Sequence, residues 1–560
     1  MIWRLALIVL LGAGSLFFLL PPKARIVEER QGATRPVRGV VHIHTRRSDG
    51  TGTVEDVARA AARAGLSFVV ITDHGDGTRK PDPPAYRQGV LCIDAVEISV
   101  DGGHLVAIGL PEAPYPLGGE ARDAVEDVHR LGGWAVAAHP GSPKPDLAWR
   151  DWQAPVDGIE WVNGDSEWRD ESALSLARML LTYPFRPRES LATLLDRPDP
   201  VMKRWDELTA QRPVVGLAAA DAHARVGLMS IGEPYDARAS IPLPSYAAVF
   251  SALSVTLEGV SLSQDAVADA RAVVDALRGG RLYSTIDGLA TGGELTFTAS
   301  SGQASAGMGQ ALAIDGPVTL RVETTAPPDA RITIFRDGQP MRVVDGVRIE
   351  ELVPASSAVY RVEVGLPGTV GTPPVPWMVG NPIYVGRRPA IQAVGVAPAP
   401  TSRVAFTIEQ LGAARIERSQ ASEGATSITR VEGVAELLFR YALGGRASDH
   451  PYAAAALTLP ASLDIGSLVH FTAHADRPMR LSVQLRSPGG VDGDRWRRSI
   501  YLDEVPRDLT VALHDMRPVT GVALENRLRQ VDSLLFVVDA VHARLGNGGR
   551  VWIKNLELAK

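Results

Sequence analysis

The chain reads as a multidomain protein, α/β at first and all-β afterwards, and three observations predict this. At 560 residues it is too long for one hydrophobic core, given about 100 to 200 residues per domain. From residue 38 to about 290, short apolar runs alternate with amphipathic helical stretches, the pattern of mostly parallel strands with crossover helices. After "ALRGGRLYSTIDGLATGG" only short alternating runs remain, separated by Gly, Pro and Asp turns.

In chain order, the first element is the uncharged run from Leu5 to Leu20, preceded by Arg4 and followed by "PPKARIV" rather than by a small-x-small cleavage site. Residues 1–22 therefore read as a membrane anchor or signal segment. The expected location is membrane-anchored or exported, with the bulk of the chain extracytoplasmic. Lys23, Arg25 and Arg30 outnumber Arg4 and pull against that orientation. Residues 38–290 form the α/β domain, with strands expected in "RGVVHIH", "SFVVITDH", "DAVEIS", "HLVAIGL", "WAVAAHP", "DGIEWVN" and "VVGLAAADAH". The first helix is well marked. Thr53 caps it, Asp56 takes the third helical position, Val54, Val57, Ala58 and Ala61 share a face, and Gly65 ends it. Between Ser166 and Arg212 several helices replace the single crossover that a simple barrel needs, and they read as a cover over a site.

Residues 291–387 are expected to form a β-sandwich, residues 388–403 a linker rich in Pro and Ala, and residues 404–560 a second β-domain, most economically a jelly roll. A net charge of -6 leaves no electrostatic footprint for nucleic acid, so no such partner is expected. The single cysteine, Cys92, excludes an intramolecular disulfide.

Titratable residues gather at strand ends. His42 and His44 stand one residue apart in "GVVHIHTRRSDGTG", a spacing that puts two side chains on one face of an extended strand. Asp49 follows in "SDG", His74 ends "ITDH", Glu97 lies in "VEIS", His104 opens "HLVAIGL", His139 ends "WAVAAHP", and Asp221 and His223 close "AAADAH". Carboxyl ends of parallel strands are where α/β folds collect catalytic groups, and nine imidazoles and carboxylates there point to a metal site. His129, within "EARDAVEDVHRL", falls on a helix and reads as a solvated residue.

The motifs "HIHTRRSDG", "ITDH", "VEIS", "HLVAIGL", "AAHPG" and "ADAH" resemble, in order and spacing, those of the PHP (polymerase and histidinol phosphatase) metallohydrolases. "PSYAAVF", "ALRGGRLYSTIDGLA" and "NPIYVG" resemble the carbaryl hydrolase-like branch. The resemblance covers about residues 38 to 387 and implies a distorted (β/α)7 barrel. It implies two or three divalent ions, manganese, zinc or iron: one on His42, His44, Glu97 and Asp221, a second on Glu97, His104 and His139, a third on Asp49, His74 and His223. It also implies hydrolysis of a small-molecule ester by a metal-bridged hydroxide, with Glu97 and Asp221 at the reacting centre.

Arg225, two residues past His223, is the best candidate to grip an anionic oxygen, ahead of Arg46, Arg47 and Lys144. Trp149, Trp152, Trp161 and Trp168 wall an apolar pocket or pack a core. Glu160 orients a ligand histidine or is an ordinary strand-end carboxylate, and Asp73 reads as structural. Phosphoester hydrolysis is the leading expectation and hydrolysis of a carboxylic or carbamate ester the alternative. A third reading is a non-catalytic envelope protein whose last domain binds glycan, so the C-terminal domain is a candidate glycan or envelope contact.

Overall fold

A computed structural model describes residues 18–27, 36–227, 240–241, 243–369, 371–386, 403–431, 433–459, 468–519 and 531–559. Most of the expected anchor, residues 1–17, and nearly all of the expected linker lie outside these. Among the described residues no helix is long and apolar enough to cross a membrane. The protein is mixed and sheet-rich, with several sheets and short helices.

In the α/β part, strands β1 (Val37–Val40), β2 (Phe68–Ile71) and β3 (Val90–Asp94) are parallel neighbours. A second sheet holds β4 (Val96–Val100), β5 (Gly103–Ile108), β6 (Trp134–Ala137), β7 (Gly158–Asn163) and β8 (Val215–Ala219). There β6, β7 and β8 run parallel, whereas β5 is antiparallel to both β4 and β6. Two isolated parallel bridges, Ile43 with Ala222 and His74 with Glu97, join these sheets; of the four residues only Glu97 lies inside a strand. A regular (β/α)7 barrel is therefore not evident: the strands divide between two sheets that meet at single bridges. Buried Phe68, Val70, Leu91, Val106, Trp134, Val136 and Leu217 belong to one apolar core.

Helix α1 (Val54–Arg63) starts where its sequence requires. The Thr53 hydroxyl accepts from Asp56 N at 3.2 Å, and the Asp56 carboxylate accepts from Thr53 N at 3.0 Å. This reciprocal cap satisfies two backbone donors that the first turn leaves open. Gly65, at φ 71°, takes the left-handed turn past the end. Helix α2 (Ala121–Arg130) carries His129, which faces Asp157 at 2.8 Å and takes no part in the strand-end cluster. The stretch after β7 supplies α3 (Gly164–Arg169), α4 (Ala173–Thr182), α5 (Pro187–Ala192) and α6 (Asp199–Thr209).

Past β9 (Ser254–Leu257) and β10 (Leu282–Thr285), the sheet containing β1 continues without a break. Tyr283 pairs with Gly380, carrying the hydrogen-bond ladder into the β-rich segment, where a separate four-stranded sheet packs over a core that includes Phe297, Leu320 and Tyr360.

The chain divides into two compact units. The first runs to Gln392 apart from Gly77–Arg79 and Glu112–Ala124, which belong with Ala393–Lys560 to the second. The second unit is a sandwich of two six-stranded antiparallel sheets around a core containing Phe439, Phe471, Trp496 and Phe536. Within this unit the fully buried Asp123 is ion-paired with Arg480 at 3.3 Å and with Arg498, and Arg480 also donates to the Asp123 carbonyl at 2.9 Å.

Candidate metal centre

β1 ends at Val40, before the His-x-His motif, so strand alternation does not aim these rings. His42 instead adopts φ 65°, and His139 and Asp221 also lie in the left-handed region, at 31° and 46°. Such backbone is uncommon outside glycine, costs of order 1–3 kcal/mol per residue, and gathers at functional sites. The surrounding packing holds it here: His42, His44, Glu97, His139 and Asp221 are all buried.

The structure brings all nine strand-end residues together. His42 Nε2 and His44 Nε2 are 3.1 Å apart. Glu97 Oε2 lies 3.2 Å from each, and Asp221 Oδ1 lies 3.3 and 3.2 Å from them. Two nitrogens and a carboxylate oxygen at such spacing are donor types that hold zinc and similar ions. Glu97 divides its oxygens. Oε1 faces His104 Nδ1 at 2.8 Å and His139 Nε2 at 2.9 Å, while Oε2 also faces His74 Nδ1 at 3.2 Å. Asp49 reaches His223 Nε2 at 3.1 Å, His44 Nδ1 at 3.4 Å and His74 Nε2 at 3.8 Å. Four overlapping groups could each hold an ion: His44, Asp49, His74 and His223; His42, His139 and Asp221; His42, His44 and Glu97; and His74, Glu97 and His104.

The electrostatics are those of carboxylates and imidazoles buried side by side, whose protons a bound ion would have to displace. Burial opposes a charge on His42, but Asp221, Glu160 and Glu97 raise its pKa well above the ordinary imidazole value. Burial likewise opposes charge on His44, yet hydrogen bonds to Asp221 and Glu97 raise it to about 10. His74 is lowered to about 4, first by burial, with the neighbouring His44 and His104 adding to the effect. Despite burial, the surrounding imidazoles hold Glu97 and Asp221 well below the usual carboxylate range. Ionised carboxylates packed among imidazoles form a donor set that divalent transition ions satisfy.

Neighbouring groups orient the donors. Glu160 Oε1 is 2.6 Å from His42 Nδ1, and its Oε2 accepts from His139 N and Asn163 Nδ2, both at 2.7 Å. His139 Nδ1 faces the Leu147 carbonyl at 3.0 Å, and His223 Nδ1 faces the Asp221 carbonyl at 3.0 Å. Donating from Nδ1 leaves the Nε2 lone pair aimed at the centre. Asp73 accepts from Thr45 N, Thr45 Oγ1 and Ser48 Oγ and so fixes the loop. Tyr246 closes it by donating to the His44 carbonyl at 2.7 Å, a role without any local sequence signal.

Arg225 stands beside the cluster, its guanidinium 3.3 Å from Asp49 Oδ2. Arg46 donates to the Thr51 carbonyl, and Arg47 pairs with Asp82 and Asp94. Of the four tryptophans, Trp149 and Trp161 are core residues. Trp152 lies under Arg204. Trp168 lines a cavity of about 310 Å³ that reaches Asp221, His223 and Arg225.

No protein-family model matches the chain. It is 29% identical over 140 residues to an uncharacterized protein of Methanocaldococcus jannaschii, spanning 22% of this chain and 80% of that one. A family 11 carbohydrate-binding module from Clostridium thermocellum, in complex with a mixed-linked tetrasaccharide, matches 28% of this chain and 95% of its own at 15% identity and a TM-score of 0.23. An amidohydrolase from Chromobacterium violaceum matches 33% of this chain and 87% of its own at 18% identity and a TM-score of 0.21. A two-domain protein from Bacteroides vulgatus, containing a predicted PHP-like metal-dependent phosphoesterase, matches 65% of this chain and 98% of its own at 14% identity and a TM-score of 0.26.

Proposed function

We propose that the chain is a metal-dependent hydrolase of ester bonds, a phosphoesterase of the PHP type in its carbaryl hydrolase-like branch. The observation that carries this reading is that the Nε2 atoms of His42 and His44, 3.1 Å apart, each lie 3.2 to 3.3 Å from both Glu97 Oε2 and Asp221 Oδ1. In this reading the two bridged sheets form a distorted (β/α) barrel, and the C-terminal sandwich is a jelly-roll module suited to glycan or envelope contact. The N-terminal apolar run keeps the enzyme at the membrane.

His42, His44, Glu97 and Asp221 would hold one ion, Glu97, His104 and His139 a second, and Asp49, His74 and His223 a third, of manganese, zinc or iron. Such ions lower the pKa of bound water to about 7 and draw charge from an attacked phosphoryl or carbonyl group. The chain's own residues do the rest. Glu97 offers one oxygen to each of two sites, Glu160 keeps His42 and His139 in place, and Arg225 brings a fixed positive charge to the edge where an anionic oxygen would sit. An uncharged carboxylic or carbamate ester is the second reading, favoured by the pairing of Arg225 with Asp49 and by the cavity beside them.

Metal analysis of the purified full chain, followed by turnover of a panel of phosphoesters and carboxylic esters before and after chelation, tests the proposal. Two or three equivalents of metal and chelator-sensitive turnover are expected. A metal-loaded chain inert towards the whole panel would reject it.

A further inference from the structure

The cavity beside Asp221, His223 and Arg225 has an unusual wall for an enzyme of small anionic esters. Trp168, Leu176, Met179, Leu180 and Leu194 line it, and Asp221, His223 and Arg225 are among its few polar lining residues. Predominantly apolar walls with a few convergent polar groups are the anatomy of a small-molecule site. Its volume of about 310 Å³ is roughly twice that of the ~150 Å³ apolar cavity known to accept benzene. Glu167, also on the wall, does not spoil this character near neutrality, because burial raises its carboxyl pKa to about 8.

Helix α4 supplies much of that wall, and apolar side chains also stand out from it into solvent. Leu174 and Leu181 on the helix and Phe185 just beyond it are 81%, 51% and 59% exposed. Large exposed apolar side chains grouped on one element mark a surface with a use. The end of the N-terminal apolar run meets the same helix, since Arg178 Nε donates to the Leu19 carbonyl at 3.2 Å. The sixteen uncharged residues that finish at Leu20 thus end at α4, whose inner side chains wall the cavity.

We propose that this cavity receives the hydrocarbon tail of an amphiphilic, lipid-like ester, with the scissile group held at the Asp221 end. The proposal rests on the hydrolase reading and narrows its substrate class. Short polar esters would leave the wall uncovered, whereas a tail displaces water from it and gains binding with each methylene it buries.

The test is calorimetric titration of the full chain, loaded with Mn²⁺, with n-butyl-, n-hexyl- and n-octylphosphonate, none of which can turn over. Kd is expected to fall about three- to fourfold per added methylene until the cavity is filled. In Leu180→Asp, a substitution at a half-exposed wall position, all three phosphonates should bind more weakly and the dependence on length should vanish. Metal-dependent binding that ignores chain length would overturn the tail site and leave the hydrolase reading standing. The same length dependence in Leu180→Asp would overturn its placement in this cavity. Failure of every phosphonate to bind the metal-loaded chain would reject the hydrolase reading itself.

Discussion

Glu160 Oε1 lies 2.6 Å from His42 Nδ1, and the second oxygen of the same carboxylate holds the backbone amide of His139. One buried side chain thus orients two proposed ligands from two different strand ends. Outer carboxylates of this kind are worth about 10- to 100-fold in metal affinity. Glu160→Ala is expected to weaken metal binding by that factor, and Glu160→Gln, which keeps an acceptor for His42, by less. Competition with a chelator of known affinity measures both.

Glu97→Ala should be the most damaging single ligand loss, because it removes a donor from two sites at once. His104→Ala takes a donor from one. Metal stoichiometry and turnover should fall together in Glu97→Ala, with circular dichroism unchanged, and fall less in His104→Ala. Wild-type metal content and activity in Glu97→Ala would remove the bridge from the mechanism.

Arg225→Met separates charge reading from site building. A hydrogen bond to a charged group contributes about 1.5–3 kcal/mol. A loss of about 10- to 100-fold in kcat/KM is therefore expected for an anionic phosphoester, with a smaller loss for a neutral ester. Equal losses accompanied by lower metal content would show that the residue acts by holding Asp49.

Glu167 gives a pH signature in stability. Burial and the charges of Asp170, Asp196 and Glu171 raise its pKa from 4.5 to about 8 in the folded chain, against the backbone hydrogen bond from Asp196. The unfolded chain loses this proton first, so the contribution is complete below about pH 4.5, declines as pH rises and is gone above about pH 8. Glu167→Gln should match the wild type near pH 4.5 and exceed its stability by a few kcal/mol near pH 9 in urea unfolding.

A chain ended at Gly386 should still bind metal and turn over a small soluble ester, since every proposed ligand precedes Ala224. It should also melt at a lower temperature than the full chain, because Asp123 loses both arginines. Removing one side of a buried ion pair costs about 3–5 kcal/mol. Differential scanning calorimetry with metal analysis checks both halves of the expectation.

Much of the candidate centre is legible in sequence because its imidazoles and carboxylates stand at or beside strand ends. Their convergence is visible in "HIH", "ITDH", "VEIS", "AAHP" and "ADAH", but the means of convergence is not. Strand alternation gives the expected direction for His42 and His44, yet the observed cause is a left-handed residue past the strand end, a backbone choice made by tertiary packing. β3, around Cys92, passes unnoticed because the apolar run Val90–Ile93 that forms most of it shows no alternation. The antiparallel turn of β5 leaves the same local pattern as a parallel strand. Asp123 looks like an ordinary helix carboxylate, and only partners more than 350 residues away reveal its burial.

The discontinuity of the second unit also sets an order of events during synthesis. Gly77–Arg79 and Glu112–Ala124 leave the ribosome long before Ala393 is made. At about 5–20 residues per second the interval is roughly 15 to 50 s. Throughout that time the Asp123 segment must wait in a nascent chain whose Arg480 and Arg498 have yet to be made. The sandwich can close only when translation is nearly finished, so slow codons or a stall between these stretches would lengthen the exposure of that segment to chaperones and proteases.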